Sequence, residues 1–248
     1  MKARGLRWLW ARVLAEIPWA GRVWAVPFLT ALCPSARYHQ QRGQRHQTLP
    51  EWAGQGLGLF HRGLPGREVV VVADSSYAGS ALLKQVRDTP EVSLSTRLRL
   101  AAARYAPAPP RARRQNGRPR KTGARRPTLH QGLSAPQIKW STVRVNNWYG
   151  GGAREGEVCT DTAVWEQTGL PPVALRWGLM RDPQDEGEPQ ARLCPQLAYA
   201  PAQSLAWFVR RWTMAVTCEE ARAHLGLETQ RQWPDLAISR TTPALCGF

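Results

Sequence analysis

Apolar residues along the chain alternate between short β-branched runs and stripes at helical spacing, a pattern typical of an α/β protein. Residues 68–73 contain four consecutive valines, and such a run predicts a central strand covered on both faces. The strand should end at Asp74, with Ser75 or Ser76 capping the helix that follows. Residues 92–100 predict a second strand, so this part of the chain is expected to build an α/β sheet.

Three further segments show the spacing of strands or helices. Residues 6–32 mix aromatic and aliphatic side chains with two prolines and predict buried strands or short helices. In residues 38–62 the apolar side chains recur at near-helical spacing, which predicts a helix. The strongest helix is predicted over residues 201–225, because Gly226 suits a C-cap and an apolar stripe runs along one face. The stripe consists of Leu205, Val209, Trp212 and Val216.

The middle of the chain divides into a basic part and a β-like part. Residues 106–132, the basic segment, are rich in proline and carry eight Lys or Arg between positions 111 and 126 with no acid among them. Such a segment cannot build a core and is expected to be a mobile, solvated loop. From residue 133 to residue 198, β-like runs alternate with Gly and Pro turns, which predicts a small antiparallel meander.

The overall charge narrows the choice of partner. The net charge is +16 and the pI about 10.9, a surplus that favours a polyanion such as nucleic acid. No uncharged run near the N-terminus reaches the about 20 residues that a membrane helix needs, and charges interrupt any signal-peptide core, so we expect no membrane. Five scattered cysteines lack zinc spacing, which indicates reduced thiols in a cytoplasmic protein.

Residues 208–222 contain a helix motif with specific spacing. Phe208 is followed by Arg211, Ala215 and Arg222 at intervals of three, four and seven residues. This pattern resembles the Tyr-x2-Arg-x3-Glu-x6-Lys helix of insertion-sequence DDE transposases, in the branch with a β-rich insert. Phe208 stands at the Tyr place and Arg222 at the Lys place, while Trp212 follows the Arg as is common in that family. Ala215 stands at the place of the catalytic Glu.

A second motif supports the same resemblance. Residues 72–77 read Val-Ala-Asp-Ser-Ser-Tyr, similar to the strand end that carries the family's second catalytic Asp. An acid at the end of a parallel strand is a usual place for chemistry, and the resemblance implies that Asp74 is the retained acid and metal ligand. A purely structural role of Asp74 as a helix N-cap has about equal weight. Glu219 lies one helical turn beyond Ala215, about 6 Å along the axis, and is a poor substitute. The helix face that carries Ala215 and Glu219 is explained equally well as a solvated face with charge pairs.

The resemblance implies a ribonuclease-H-like α/β fold, a mixed sheet with an antiparallel β-rich insertion. The family's three acids hold two divalent ions, Mg²⁺ or Mn²⁺. No Asp precedes Asp74 and Ala215 offers no oxygen, so we expect a truncated, degenerate chain that binds neither ion productively. Residues 1–105 would form the first part of the domain, 106–132 the basic mobile loop, 133–198 the insertion and 199–248 the C-terminal helical part.

These features favour a transposase-derived protein that binds DNA, the element ends in the parent family, without the metal-dependent strand transfer of DNA transposition and recombination. A homo-oligomer or a full-length transposase would be further partners, and the chain would associate with the nucleoid in the cytoplasm. If roughly six cations neutralise phosphates, log K should fall with log salt at a slope near −5. The cations expected to bind DNA are Arg111, Arg113, Arg114, Arg118, Arg120, Lys121, Arg125 and Arg126.

Two alternatives stay open from the sequence. The first is an active transposase or endonuclease in which Glu219 and another residue replace the missing acids. The absence of any Asp before Asp74 counts against it. The second is a basic nucleic-acid-binding scaffold outside the transposases, and the spacing of the helix motif counts against that.

Overall fold

The computed structural model describes residues 6–89, 91–111, 117–136, 138–146, 148, 152–166, 169–182, 188–229, 231 and 234–247. The chain divides into two compact units, one formed by Met1–Ala53 with Val209–Phe248 and the other by Gly54–Phe208. In chain order the elements are β1 (Trp8–Ile17), β2 (Arg22–Leu32), α1 (Ala36–Gln41), α2 (Leu49–Gly63), β3 (Val69–Ala73), α3 (Ser80–Arg87), β4 (Val92–Leu98), α4 (Leu129–Leu133), β5 (Ser141–Val145), β6 (Arg154–Trp165), β7 (Val173–Arg181), β8 (Gln190–Cys194), α5 (Pro201–Arg211), α6 (Thr213–Leu225) and α7 (Asp235–Gly247).

The unit Met1–Ala53 with Val209–Phe248 is built around an antiparallel hairpin. β1 pairs with β2 from Trp8 opposite Leu32 to Ile17 opposite Arg22. A short 3-10 turn and Gly21, with φ of 60°, connect the two strands; glycine suits this left-handed conformation because it has no side chain to clash. Helices α6 and α7 pack against β2. Of the buried strands or short helices expected over residues 6–32, the structure has strands, and only Val23 and Ala25 in them are buried.

The unit Gly54–Phe208 contains a six-stranded mixed sheet in the order β3-β4-β8-β7-β6-β5. β3 and β4 pair in parallel, whereas β4 pairs with β8 antiparallel. Strands β8, β7, β6 and β5 form an antiparallel meander. Leu83 of α3, Leu94 of β4 and Leu175 of β7 are fully buried in its core. The mixed sheet with its antiparallel meander confirms the predicted ribonuclease-H-like α/β fold with a β-rich insertion.

The prediction that residues 68–73 form a central strand is wrong. β3 stands at the edge of the described sheet, paired only with β4 among the described strands, and all five of its residues are only partly buried. The strand that is buried is β4, in which six of the seven residues are buried. A valine run reports the preference of β-branched side chains for extended backbone, and that preference does not by itself say how many neighbours the strand has.

Several predicted helix boundaries also differ from the structure. The helix expected to start at Ser75 or Ser76 starts at Ser80, after a separate 3-10 turn at Ser75–Tyr77. The helix expected over residues 38–62 is two helices, α1 and α2. α2 continues through several glycines, and it is bonded to α3 where the Gln85 side-chain amide donates to the Gly54 carbonyl oxygen at 2.7 Å.

The helix predicted over residues 201–225 is divided at Trp212 into α5 and α6. The backbone N–H of Trp212 donates to the Val209 carbonyl at 3.1 Å and that of Ala215 to the Trp212 carbonyl at 2.9 Å. These bonds span three residues and tighten the helix locally, as in a 3-10 turn. The predicted stripe is wrong at Trp212, whose side chain is half exposed. The predicted C-cap is confirmed, because Gly226 has φ of 66°.

The basic segment was expected to be unable to pack, and at its C-terminal end this is wrong. Tyr105, just before it, bridges to Arg125 and to Val164 of β6. The backbone N–H of Gly123 donates to the Ala106 carbonyl at 2.8 Å, and Leu129 of α4 is 1% exposed. The average composition of the segment does not reveal these anchors, because a few backbone hydrogen bonds and one leucine are enough to fix one end of the segment.

No described helix is long and apolar enough to cross a membrane.

We predict that Leu129→Ala destabilises the protein by about 2–5 kcal/mol, because it removes a buried leucine and leaves a cavity. His130→Ala, at the exposed next position of α4, should change the free energy of unfolding by less than about 0.5 kcal/mol. Urea denaturation followed by circular dichroism measures both. Equal effects of the two substitutions would contradict the anchoring of the basic segment by Leu129.

Candidate functional site

Asp74 lies at the carboxyl end of β3, as the sequence predicted. Its side chain is exposed, and its Oδ1 atom accepts a hydrogen bond from the Ser75 backbone N–H at 2.5 Å. Asp74 is thereby the N-cap of the 3-10 turn Ser75–Tyr77. Asp74 therefore has the capping role that the sequence left open as an alternative, because its carboxylate satisfies a backbone donor that the turn leaves without a partner.

Thr96 of β4 fixes the backbone at this strand end, and sequence reasoning missed it. The Thr96 hydroxyl donates to the Asp74 carbonyl oxygen at 2.6 Å, and the threonine is fully buried. Thr96 lies opposite Ala73 in the parallel ladder of β3 and β4. Aligning the two predicted strands in parallel register could have identified Thr96. A hydroxyl opposite Ala73 can reach the carbonyl of the following residue, Asp74.

The residues of the helix motif divide between the two units. Phe208 belongs to Gly54–Phe208 and is 5% exposed, with the Arg192 guanidinium carbon 3.1 Å from its ring centre. Arg192 comes from β8, so Phe208, the first residue of the predicted helix motif, forms a cation–π contact within this unit. Ala215 and Glu219 are both exposed and belong to α6 in the other unit, whereas Asp74 belongs to the unit of Phe208.

Arg222, the last residue of the predicted helix motif, is held by a carboxylate. Its Nε and Nη2 atoms donate to the two carboxyl oxygens of Glu228 at 2.7 and 2.9 Å. The hydrogen bond from Arg222, assisted by its charge, outweighs desolvation and lowers the pKa of Glu228, and the same pair raises the pKa of Arg222. Arg222 thus closes the turn that follows α6, a role that the motif spacing did not reveal.

The donor atoms of the described residues do not fit a site for two metal ions. No described group of three or more His, Cys, Asp or Glu side chains is arranged to hold a metal. Ala215 has no side-chain oxygen, and one of the two carboxylate oxygens of Asp74 accepts a hydrogen bond from the Ser75 backbone N–H. Magnesium requires oxygen ligands in near-octahedral geometry, and Asp74, the acid predicted for this site, would by itself fill only part of that coordination.

Arg126 and Arg104 anchor the basic segment to the sheet. The Arg126 guanidinium donates to the Asp161 carboxylate of β6. Arg104 donates to the Pro127 carbonyl at 2.8 Å and lies over the Trp177 ring, 4.3 Å from its centre. Burial lowers the pKa of Arg104 to about 10. Burial alone would raise the pKa of Asp161, but the hydrogen bond and charge of Arg126 lower it overall.

Other cations of the basic segment face solvent. Arg113 and Arg114 lie outside the described residues, and Arg111 donates to the Gly117 carbonyl at 3.4 Å. Among the described residues, no carboxylate forms an ion pair with the remaining four predicted cations, all of them exposed. These four are Arg118, Arg120, Lys121 and Arg125.

A mixed sheet with an acid at a strand end and an antiparallel insertion defines a ribonuclease-H-like protein. The sequence model of one family, described as DDE superfamily endonuclease, matches residues 2–155 of this chain. That is more than half of the chain, and the chain belongs to this family. No curated protein matches the sequence.

Membership in this family gives the chain a broad functional class. DDE endonucleases act on DNA with divalent metal ions in transposase-like reactions, which sets aside a basic scaffold unrelated to the transposases. The matched residues 2–155 include Asp74 and the basic segment but not Ala215 or Glu219. The helix motif therefore rests on its own spacing.

We predict that Asp74→Ala destabilises the protein by about 0.5–2 kcal/mol, because the Ser75 N–H loses its acceptor. Asp74→Asn should retain most of the stability, since the amide oxygen can still accept. Ser76→Ala, at the exposed neighbouring position, is the control and should change little. Thermal unfolding at equal protein concentration measures all three. A chain as stable with Ala as with Asp at position 74 would show that the cap contributes nothing.

Proposed function

We propose that this chain is a transposase-derived protein that binds DNA through its basic segment and does not cut it. The observation that carries the proposal is the set of four exposed cations without described carboxylate partners, on a segment whose C-terminal end is fixed to β6 and β7. Fixing one end limits the conformational freedom that binding would have to remove. Family membership supports DNA as the polyanion.

Affinity in such a complex comes mainly from phosphates. Each cation that neutralises a phosphate releases counterions, so binding weakens steeply with salt and carries little sequence information. Arg126 contributes least to this surface, because Asp161 already neutralises it. The DNA ends of the parent element are the proposed natural site, and a second copy of the chain or a full-length transposase is the proposed protein partner.

The proposed loss of cleavage rests on the donor atoms. The two-metal reaction requires several carboxylates converging on two dications about 3.5–4 Å apart. Alanine at position 215 supplies none of them, and Glu219 is a full turn away, about 6 Å along the helix. Glu219 is exposed on α6, so the second candidate, an active enzyme that uses this replacement acid, has a defined test.

We predict that changing Arg118, Arg120, Lys121 and Arg125 together to Gln weakens DNA binding and flattens its salt dependence. If each cation neutralises one phosphate, the slope of log K against log salt should become less negative by about 3 to 4. Fluorescence anisotropy with a labelled duplex over a salt series measures the slope. Element ends and a random duplex of equal length should bind within a few-fold of one another.

A charge-matched control separates a local surface from overall charge. It replaces four exposed arginines outside the basic segment, also with Gln, and so makes the same change in net charge. If the control flattens the slope as much as the first variant, the affinity arises from total charge and the basic segment is not the binding surface. The control positions are Arg37, Arg67, Arg97 and Arg240.

We predict no chelator-sensitive nicking or strand transfer by the unmodified chain with Mg²⁺ or Mn²⁺. Adding one carboxylate through Ala215→Glu should restore little, because two acids still cannot fill the coordination of two ions. The assay follows a supercoiled plasmid and a duplex carrying the element ends, with and without chelator. Nicking that is lost in both Asp74→Ala and Glu219→Gln would establish the active-enzyme alternative instead.

A further inference from the structure

Two histidines converge in the unit Met1–Ala53 with Val209–Phe248. His39 lies in α1 and is 8% exposed, and His46 lies in the following loop and is exposed. Their Nδ1 atoms are 3.3 Å apart, with ring centres at 5.5 Å and ring planes at 51°. Nitrogens this close share either one proton, with one ring donating and the other accepting, or one metal ion.

The separation fits a shared metal ion. Zinc–nitrogen bonds of about 2.0–2.1 Å at a tetrahedral angle place two ligand nitrogens about 3.4 Å apart. Neutral imidazole is also the preferred ligand of nickel, copper and cobalt at neutral pH. The observed Nδ1–Nδ1 distance of 3.3 Å therefore needs little adjustment for both lone pairs to reach one ion.

The loop that carries His46 is held at its start. Gly43 has φ of 63°, and the backbone N–H of Gln44 donates to the His39 carbonyl at 2.9 Å. The chain thus turns back on α1 directly after the helix. At the other end, the Thr48 backbone N–H donates to the Glu51 carboxylate at 2.6 Å. A loop fixed at both ends brings the two rings together before any ligand binds, so little conformational entropy opposes binding.

The charges around the pair do not repel a cation strongly. Arg42 forms an ion pair with Asp235, and Arg45 forms one with Glu51. The two arginines that lie between the histidines in the sequence are thereby each paired with a carboxylate, which lowers their repulsion of a cation. The pair supplies two ligands, and no described group of three His, Cys, Asp or Glu side chains exists, so water would complete the coordination.

We propose that His39 and His46 form a two-histidine site for a divalent transition-metal ion, with Zn²⁺, Ni²⁺ and Co²⁺ as its ligand class. A bound ion would join α1 to the loop after it and stabilise the unit, because a ligand that binds only the folded state favours that state. The site is independent of the DNA-binding proposal and stands or falls without it.

The test is calorimetric titration of the metal-stripped, full-length chain with Ni²⁺. We expect one equivalent to bind, with affinity at least about tenfold weaker in His46→Asn, since even loss of an outer-shell partner costs that much. His130→Asn, an exposed histidine on α4, is the matched control and should bind as the unmodified chain does. His39→Asn should also weaken binding, but His46→Asn decides, because His46 is exposed and its loss should not disturb folding.

Co²⁺ absorption gives a second readout that separates imidazole from thiol ligands. We expect ligand-field bands without a thiolate charge-transfer band, and the bands should disappear in His46→Asn. Absence of Ni²⁺ binding, equal affinity in His46→Asn and the unmodified chain, or a thiolate band would each overturn the proposal. The proton-sharing hydrogen bond would then be the whole role of the pair.

Discussion

The pairing of β4 with β3 on one side and β8 on the other is the constraint on which the unit Gly54–Phe208 depends. It joins a parallel strand pair to an antiparallel meander in one sheet. The same strand holds the end of β3 through the hydrogen bond from Thr96 to the Asp74 carbonyl. Without β4, Asp74 and the β-rich insertion would have no common frame. The position of Asp74 is thus a consequence of sheet pairing and not of its own side chain.

The composition of β4 explains why the sequence pointed to the wrong central strand. Its buried positions include Ser93, Ser95 and Thr96, each at most 1% exposed. These hydroxyls are satisfied by partners far along the chain: Ser93 bonds Tyr199 at 2.9 Å, and Ser95 bonds Ser204 at 3.4 Å. A buried hydroxyl costs little once it is bonded. A hydrophobic pattern registers the serines and threonine of β4 as polar but contains no information on their hydrogen-bond partners. The valine-rich edge strand β3 was therefore predicted to be more buried than the serine-containing β4.

The same limit applies to the charged residues. Sequence spacing placed Asp74 at a strand end and Arg222 on the helix correctly, because both follow from local periodicity. It could not assign Arg126 to Asp161, since the ion pair depends on how the basic segment crosses β6. Arg104 had no signal at all, although it is buried over Trp177. Local order was predictable, whereas partners distant in sequence required the fold.

The proposed function also has an electrostatic consequence for how DNA is bound. In an intact DDE site, clustered carboxylates repel the phosphate backbone until dications neutralise them. Under the proposed function, alanine at position 215 stands in place of one of these acids, so one negative charge is absent while the cations of the basic segment stay exposed. With a net charge of +16, association needs no metal to offset repulsion at that position. The proposed loss of the catalytic acid and the proposed DNA binding are therefore compatible, because an alanine at this position would weaken catalysis and favour contact with phosphate at the same time.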